Sequence, residues 1–391
     1  MASLTARTMS NGSGSAIDPR PQDFVQLQGN WSMVLLSFAL GLVALIIGAE
    51  LLVRGASKLA LTFGISPLVV GLTVVAYGTS APEMAVSVQS ALAGQADIAI
   101  GNVVGSNIFN VLFILGISAL ITPLIVDRQL IRQEVPIMVG ASLLLLGVAW
   151  DGSVSRSEGL ILAILLAAYT MFLIVQSRRQ LSGNGEFAHA LGGTQPAGKT
   201  RLPVQVALIV IGLILLVLGA SWLVEAAITM AKQLGVSEMV IGLTVVAAGT
   251  SLPEVATSIT AAIRGQRDIA VGNVIGSSVF NILGVLGLTA LVAPSAIPVA
   301  PAMIAFDIPV MIVVAIACLP IFFTGNFIAR WEGGMFFGLY VGYTLYLILA
   351  AQQHDALSTY GFVLGTIVLP LCAPTILVIA WREWQVRRGP Q

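Results

Sequence analysis

Apolar residues run along this chain in long stretches, with few polar positions between them. A bilayer core of about 30 Å takes about 20 apolar residues per helix. Eleven stretches approach that length, at 33–53, 66–92, 98–122, 135–150, 158–176, 204–226, 237–262, 269–293, 303–323, 335–352 and 359–381. They predict an all-α membrane protein of about eleven transmembrane helices. Residues 1–32, rich in Ser, Gly and Asn, read as a mobile N-terminal tail. They lack the basic start and short apolar run of a cleaved leader. The polar, Gly-rich stretch 177–203 is the one sizeable internal connector, and it divides the chain into halves at 33–176 and 204–352. Residues 353–391 then form an additional helix and tail.

Composition agrees with this reading. Of 391 residues, 57% are hydrophobic and 9% charged, against about 25% charged in soluble domains. A net charge of zero gives no reason to expect a nucleic-acid partner. Cys318 and Cys372 lie in apolar runs and read as small hydrophobes, while His189 and His354 fall in polar connectors. Zinc or haem therefore has almost no ligands to draw on, and no cofactor is expected.

Lysine and arginine are distributed unevenly. With the connectors on alternating sides, Arg7, Arg20, Arg156 and Lys232 share the side of the N-terminus, and the other fourteen of the 18 basic residues lie opposite. Basic connectors stay in the cytoplasm. The N-terminus is therefore expected outside, with the 177–203 connector and the C-terminus inside.

The halves repeat one another. Residues 71–110 read GLTVVAYGTSAPEMAVSVQSALAGQADIAIGNVVGSNIFN, and residues 242–281 read GLTVVAAGTSLPEVATSITAAIRGQRDIAVGNVIGSSVFN. At a constant offset of 171, 26 of 40 positions are identical. Weaker likeness continues outward: Gly41-Leu-Val matches Gly212-Leu-Ile, and Glu134-Val-Pro-Ile-Met resembles Asp307-Ile-Pro-Val-Met. Each half thus holds five helices. Because five is odd, the copies must cross the membrane in opposite directions. An inverted repeat of this kind places a transporter's substrate near the midplane between its halves.

The polar residues within the spans point to the cargo. An acid at a helix centre costs about 2.5–3.5 kcal/mol on insertion scales, yet Glu83 and Glu254 sit mid-span at equivalent repeat positions with no Lys or Arg at their depth. A bound cation is their natural partner. Pro82 and Pro253 remove an N–H and clash with the carbonyls of Gly78 and Gly249, so both helices should kink or unwind there. Irregular backbone at that depth is tolerated where it lines a cavity or ion path. Thr79 and Ser80 precede Glu83 by four and three residues and should share its face, as Thr250 and Ser251 should for Glu254. Hydroxyl, carboxylate and carbonyl oxygens together suit Na+ and Ca2+. A second stripe, Asn102, Ser106 and Asn110, is repeated by Asn273, Ser277 and Asn281. The outer Asn102 and Asn273 read as interhelical glue, and Asn110 and Asn281 as site residues. Gly101-xxx-Gly105 and Gly272-xxx-Gly276 read as close-packing faces. Glu50 is placed to pair with Arg54, and Glu134 and Asp307 are expected at helix starts, where the dipole favours an acid.

The motifs GTSAPE (78–83) and GTSLPE (249–254), with GSNIFN (105–110) and GSSVFN (276–281), resemble the alpha repeats of the calcium/cation antiporter family, prokaryotic sodium/calcium exchangers above all. The resemblance covers the ten-helix body. It implies Ca2+ and Na+ ligands at Glu83 and Glu254, at the hydroxyls of Thr79, Ser80, Thr250 and Ser251, and at Ser106 and Ser277. It also implies carbonyl ligands at Ala76 and Ala247 and a central polar pair at Asn110 and Asn281. Three features depart from the family pattern. Asn281 stands where some members carry an aspartate, Ser278 replaces the asparagine that the first copy keeps as Asn107, and an eleventh helix is added.

The function expected from these residues is Ca2+/Na+ antiport by alternating access, in a bacterial inner membrane and without enzymatic activity. Its partners would be the two ions and the bilayer, with no obligatory protein partner. Coupling to H+ or K+, export of another divalent ion, and a cation channel remain as alternatives.

Overall fold

The computed structural model describes residues 21–63, 65–94, 96–183, 202–233, 247–323 and 325–352, together with 357 and 361. It is helical throughout apart from two ribbons of two residues per strand. We number the helices α1 (Pro21–Phe63), α2 (Pro67–Thr79), α3 (Ala81–Leu92), α4 (Ile98–Ile121), α5 (Leu130–Asp151), α6 (Arg156–Gly183), α7 (Leu202–Gln233), α8 (Leu252–Ile263), α9 (Arg267–Val292), α10 (Met303–Phe323) and α11 (Arg330–Ala351). Eight of them are long and apolar enough to cross a membrane, and α2 with α3 forms a ninth, broken span bent by 43°. The expected eleventh span at 359–381 apart from residue 361, the first part of the span expected at 237–262 and most of the connector at 177–203 lie outside the described residues.

Several boundaries differ from those expected. The tail predicted over 1–32 is already helical from Pro21, and α6 continues past 176 to Gly183. A polar helix end projecting beyond the apolar core has no hydropathy signature. Glu134 does not begin a helix. The helix starts near Arg128, passes through a π turn at Leu130–Glu134 and continues as α5, so Glu134 is buried more than a turn inside. Its carboxylate accepts hydrogen bonds from the Gln129 and Gln133 amides (2.9 and 2.7 Å) and from the Tyr169 hydroxyl (2.7 Å). Asp307 repeats this placement at the end of the π turn Met303–Asp307, accepting from the Tyr343 hydroxyl at 2.8 Å.

Burial sorts the helices. Within their most apolar windows α9 is 89% buried and α4 is 72% buried, whereas α11 and α6 are only 11% and 22% buried. The first pair is therefore the centre of the bundle, and the second pair turns apolar residues outward, among them Leu160, Ile161 and Ile164 of α6 and Val341 and Leu345 of α11. Helices α1 and α7 form an antiparallel pair in backbone contact. A Cβ added at Gly41 would lie 2.8 Å from the Gly219 carbonyl oxygen, and one at Gly48 would lie 2.8 Å from that of Gly212. Small residues permit this approach in a medium that offers no hydrophobic drive for helix association. Gly276 of α9 is equally tight against α2, with the Leu72 carbonyl oxygen 2.6 Å from its notional Cβ. Gly272 and Gly276 are thus close-packing positions. A Cβ added at Gly101 would meet only Met303 Cε, at 3.9 Å, and one at Gly105 would meet no described neighbour within 4 Å outside its own helix, so the Gly101–Gly105 face is not closely packed.

Connectors meet in two groups. The strands β1 (Leu124–Ile125) and β4 (Phe327–Ile328) pair antiparallel, as do β2 (Ser153–Val154) and β3 (Ile297–Pro298). Arg156 reaches from the start of α6 to the Ala293 carbonyl beyond α9 at 2.8 Å. Glu50 of α1 binds Arg54, as expected, and also Arg264 after α8 at 2.9 Å.

Candidate functional site

The break between α2 and α3 falls where the proline predicts it. Ser80 has left the helical region at φ −82°, ψ 12°, and Pro82 occupies the second position of α3, where its missing N–H costs nothing. The second copy is built alike: Ser251 lies at φ −88°, ψ 8°, with Pro253 at the second position of α8. Glu83 and Glu254 therefore stand in the first turns of new helices, where the free N–H groups and the dipole favour an anion. Both acids are buried. No described basic residue pairs with either of them, since the described ion pairs all involve Glu50.

Ser-x-x-Glu at a helix start is the capping-box pattern, in which serine and glutamate each serve the other's backbone. Here neither serine caps its own helix. The Ser80 hydroxyl donates to Glu254 Oε1 at 2.8 Å, and the Ser251 hydroxyl donates to Glu83 Oε1 at 2.8 Å. Each copy's serine holds the other copy's acid. On an unbroken helix Ser80 would share a face with Glu83; the bend at Ser80 breaks that face and turns the hydroxyl across the interface.

The other expected residues gather around this crossing. Ser106 lies 3.3 Å from the Ser251 hydroxyl. Ser277 donates to the Ala76 carbonyl at 3.4 Å, and that carbonyl also lies 3.3 Å from the Thr79 hydroxyl. Thr79 and Thr250 face the outer asparagines of the opposite copies, at 3.1 Å from Asn273 Oδ1 and 3.4 Å from Asn102 Oδ1. Those asparagines act as interhelical ties. Asn102 donates to the Glu83 carbonyl (3.2 Å) and the Ser87 hydroxyl (3.0 Å), and Asn273 donates to the Glu254 carbonyl (3.4 Å) and the Ser258 hydroxyl (2.9 Å). Ala247 begins the short helical turn Ala247–Gly249 that leads towards Ser251.

Asn110 and Asn281 each open a π turn, at Asn110–Leu115 and Asn281–Leu286. Such bulges inside α-helices concentrate at functional sites. Hydropathy carries no sign of them, because α and π turns bury nearly the same residues. Four side-chain oxygens are buried here without a hydrogen-bond partner: Glu83 Oε2, Glu254 Oε2, Asn110 Oδ1 and Asn281 Oδ1. Burying such an acceptor unpaired costs about 1–3 kcal/mol, and more for a charged group. The four are the same two residues from each copy. Acceptor oxygens with no competing donor are what a hard cation requires.

Known proteins resemble this chain in sequence and fold. The sodium/calcium exchanger protein family matches residues 33–175 and 204–349. The inner membrane protein YrbG of Escherichia coli is 42% identical over 71% of this chain and 84% of its own. The sodium/calcium exchanger MaX1 of Methanosarcina acetivorans is 35% identical over 79% of this chain and 96% of its own. Among solved structures, the sodium-calcium exchanger NCX_Mj soaked with Na+ and Ca2+ superposes with a TM-score of 0.68 at 31% identity, covering 82% of this chain and 98% of that one. Helical bundle, paired motifs and relatives agree, and the chain is a membrane transporter, not an enzyme, belonging to the sodium/calcium exchanger protein family.

Proposed function

We infer that this chain exchanges Ca2+ for Na+, binding both ions in turn around Glu83 and Glu254 between the two copies. The observation that carries this reading is the set of four buried, unpartnered oxygens, two carboxylate and two amide. Thr79, Ser80, Thr250, Ser251, Ser106 and Ser277 and the carbonyls of Ala76 and Ala247 would complete the ligand sets. Two carboxylates balance one Ca2+. Replacement by more than two Na+ leaves the loaded site positive, and exchange then moves charge.

Alternating access is assigned to the α1–α7 pair. Its glycine contacts hold it together as a unit, and it lies by side chains against α2 and the short turn before α8: Leu213 of α7 against Gly78 and Val224 against Gly249. A bound ion neutralises the buried acids and lowers the barrier to movement, whereas the empty site with two bare charges resists it. The inverted layout and the placement of the basic connectors inside are supported by the ribbons. Each ribbon joins connectors that the distribution of Lys and Arg assigns to one side.

The test is uptake of radiolabelled Ca2+ into proteoliposomes. Uptake driven by an imposed outward Na+ gradient, and absent with a pH or K+ gradient alone, is the expected result. Uptake independent of Na+ would overturn Na+ coupling in favour of H+ or K+, and single-channel currents without a counter-ion would overturn exchange altogether.

A further inference from the structure

The two central asparagines are not held alike, and the difference traces to one residue. Asn107 is buried beside α9, and its amide nitrogen donates to the Ser278 carbonyl at 3.1 Å and to Met311 Sδ at 3.6 Å. A backbone carbonyl can only accept, so it fixes which way the Asn107 amide is turned. Asn107 Oδ1 is then left as an acceptor, and the Asn281 amide nitrogen donates to it at 3.2 Å. That in turn fixes Asn281, whose Oδ1 is one of the four buried oxygens without a partner. Among the described residues the second copy has no such relay for Asn110. Ser278 stands where Asn107 stands in the first copy, and its hydroxyl turns back to the Val274 carbonyl at 2.9 Å.

We propose that Asn107 is a positioning residue that locks the Asn281 amide with its oxygen towards the ion site and keeps position 281 a neutral ligand. The proposal rests on the reading above that Asn281 Oδ1 is an ion ligand. An aspartate at 281 would set a carboxylate oxygen against Asn107 Oδ1, which has no proton to offer. A side chain that touches no ion thus favours a neutral amide over a carboxylate at position 281.

The experiment is Na+-driven uptake of radiolabelled Ca2+ in proteoliposomes, with KM and kcat measured for four variants. Asn281→Ala should raise the KM for Ca2+; an unchanged KM would overturn the role of Asn281 and the proposal with it. Asn107→Ser introduces the side chain that the second copy already carries at this place. It should raise the KM by about tenfold, as loss of a residue orienting a metal ligand does, while changing kcat much less. An unchanged KM in Asn107→Ser beside a raised one in Asn281→Ala would overturn the proposal and leave the site reading standing. Asn281→Asp should be severely impaired, and Asn107→Ser/Asn281→Asp should recover, because the oxygen facing the new carboxylate is removed. Additive losses in the double variant would mark Asn107 as a packing residue and overturn its orienting role.

Discussion

The Ser80 hydroxyl donates to Glu254 Oε1 at 2.8 Å, from the first copy of the repeat to the second. Its mirror image, Ser251 to Glu83, has the same length. Neither copy therefore completes its own acid. Folding of the site requires both halves to be docked, and each break in a helix is read out on the other side of the interface.

Ser80→Ala and Ser251→Ala should each weaken the apparent Ca2+ affinity by about tenfold to a hundredfold, since a hydrogen bond to a charged group contributes about 1.5–3 kcal/mol. The two losses should be alike, because the two contacts are alike. Concentration dependence of Ca2+ uptake in proteoliposomes checks this. A large effect from one serine and none from the other would contradict the symmetric crossing.

Glu83→Gln and Glu254→Gln keep the shape of the side chain and remove a buried charge. Exchange should fall to background in both variants. Thermal unfolding in detergent separates loss of binding from loss of fold. Without ions the variants should melt at or above the parent, since an uncompensated buried carboxylate is removed. Ca2+ at about 100 times its Kd should stabilise the parent by about 2.7 kcal/mol and leave the variants unmoved.

Gly48→Val should destabilise the α1–α7 pair. Its Cβ would fall 2.8 Å from the Gly212 carbonyl oxygen, which belongs to backbone and cannot step aside. Overpacking of this kind costs about 1–3 kcal/mol. A lowered Tm in detergent is the expected measurement, and Gly212→Val should reproduce it from the other side of the same contact.

Sidedness can be read by thiol labelling in intact cells, with Cys372→Ser in the background and buried Cys318 left in place. The exposed Ser157 follows the β2 strand, and the exposed Arg132 follows β1. A cysteine at 157 should react with a membrane-impermeant maleimide, and one at 132 should react only after permeabilisation. The reverse pattern would invert the assigned orientation.

The sequence by itself determined the apolar stretches of the described spans, the breaks before Pro82 and Pro253, and the burial of Glu83 and Glu254. These properties are local: about 20 apolar residues make a span, a proline disrupts the helix around it, and Glu83 and Glu254 carry no basic neighbour at their depth. Tertiary structure decided which groups meet. Ser80 is three residues from Glu83 and 174 from Glu254, yet it binds the distant one, because the bend at Ser80 and the docking of the halves redirect its hydroxyl. The buried seat of Glu134 and the orientation of Asn281 through Asn107 likewise depend on neighbours from other helices. Even the capping-box spacing, visible in both motifs, does not name the helix it serves. A hydrogen bond selects a partner by position and direction in space, and sequence separation enters that choice only through the fold.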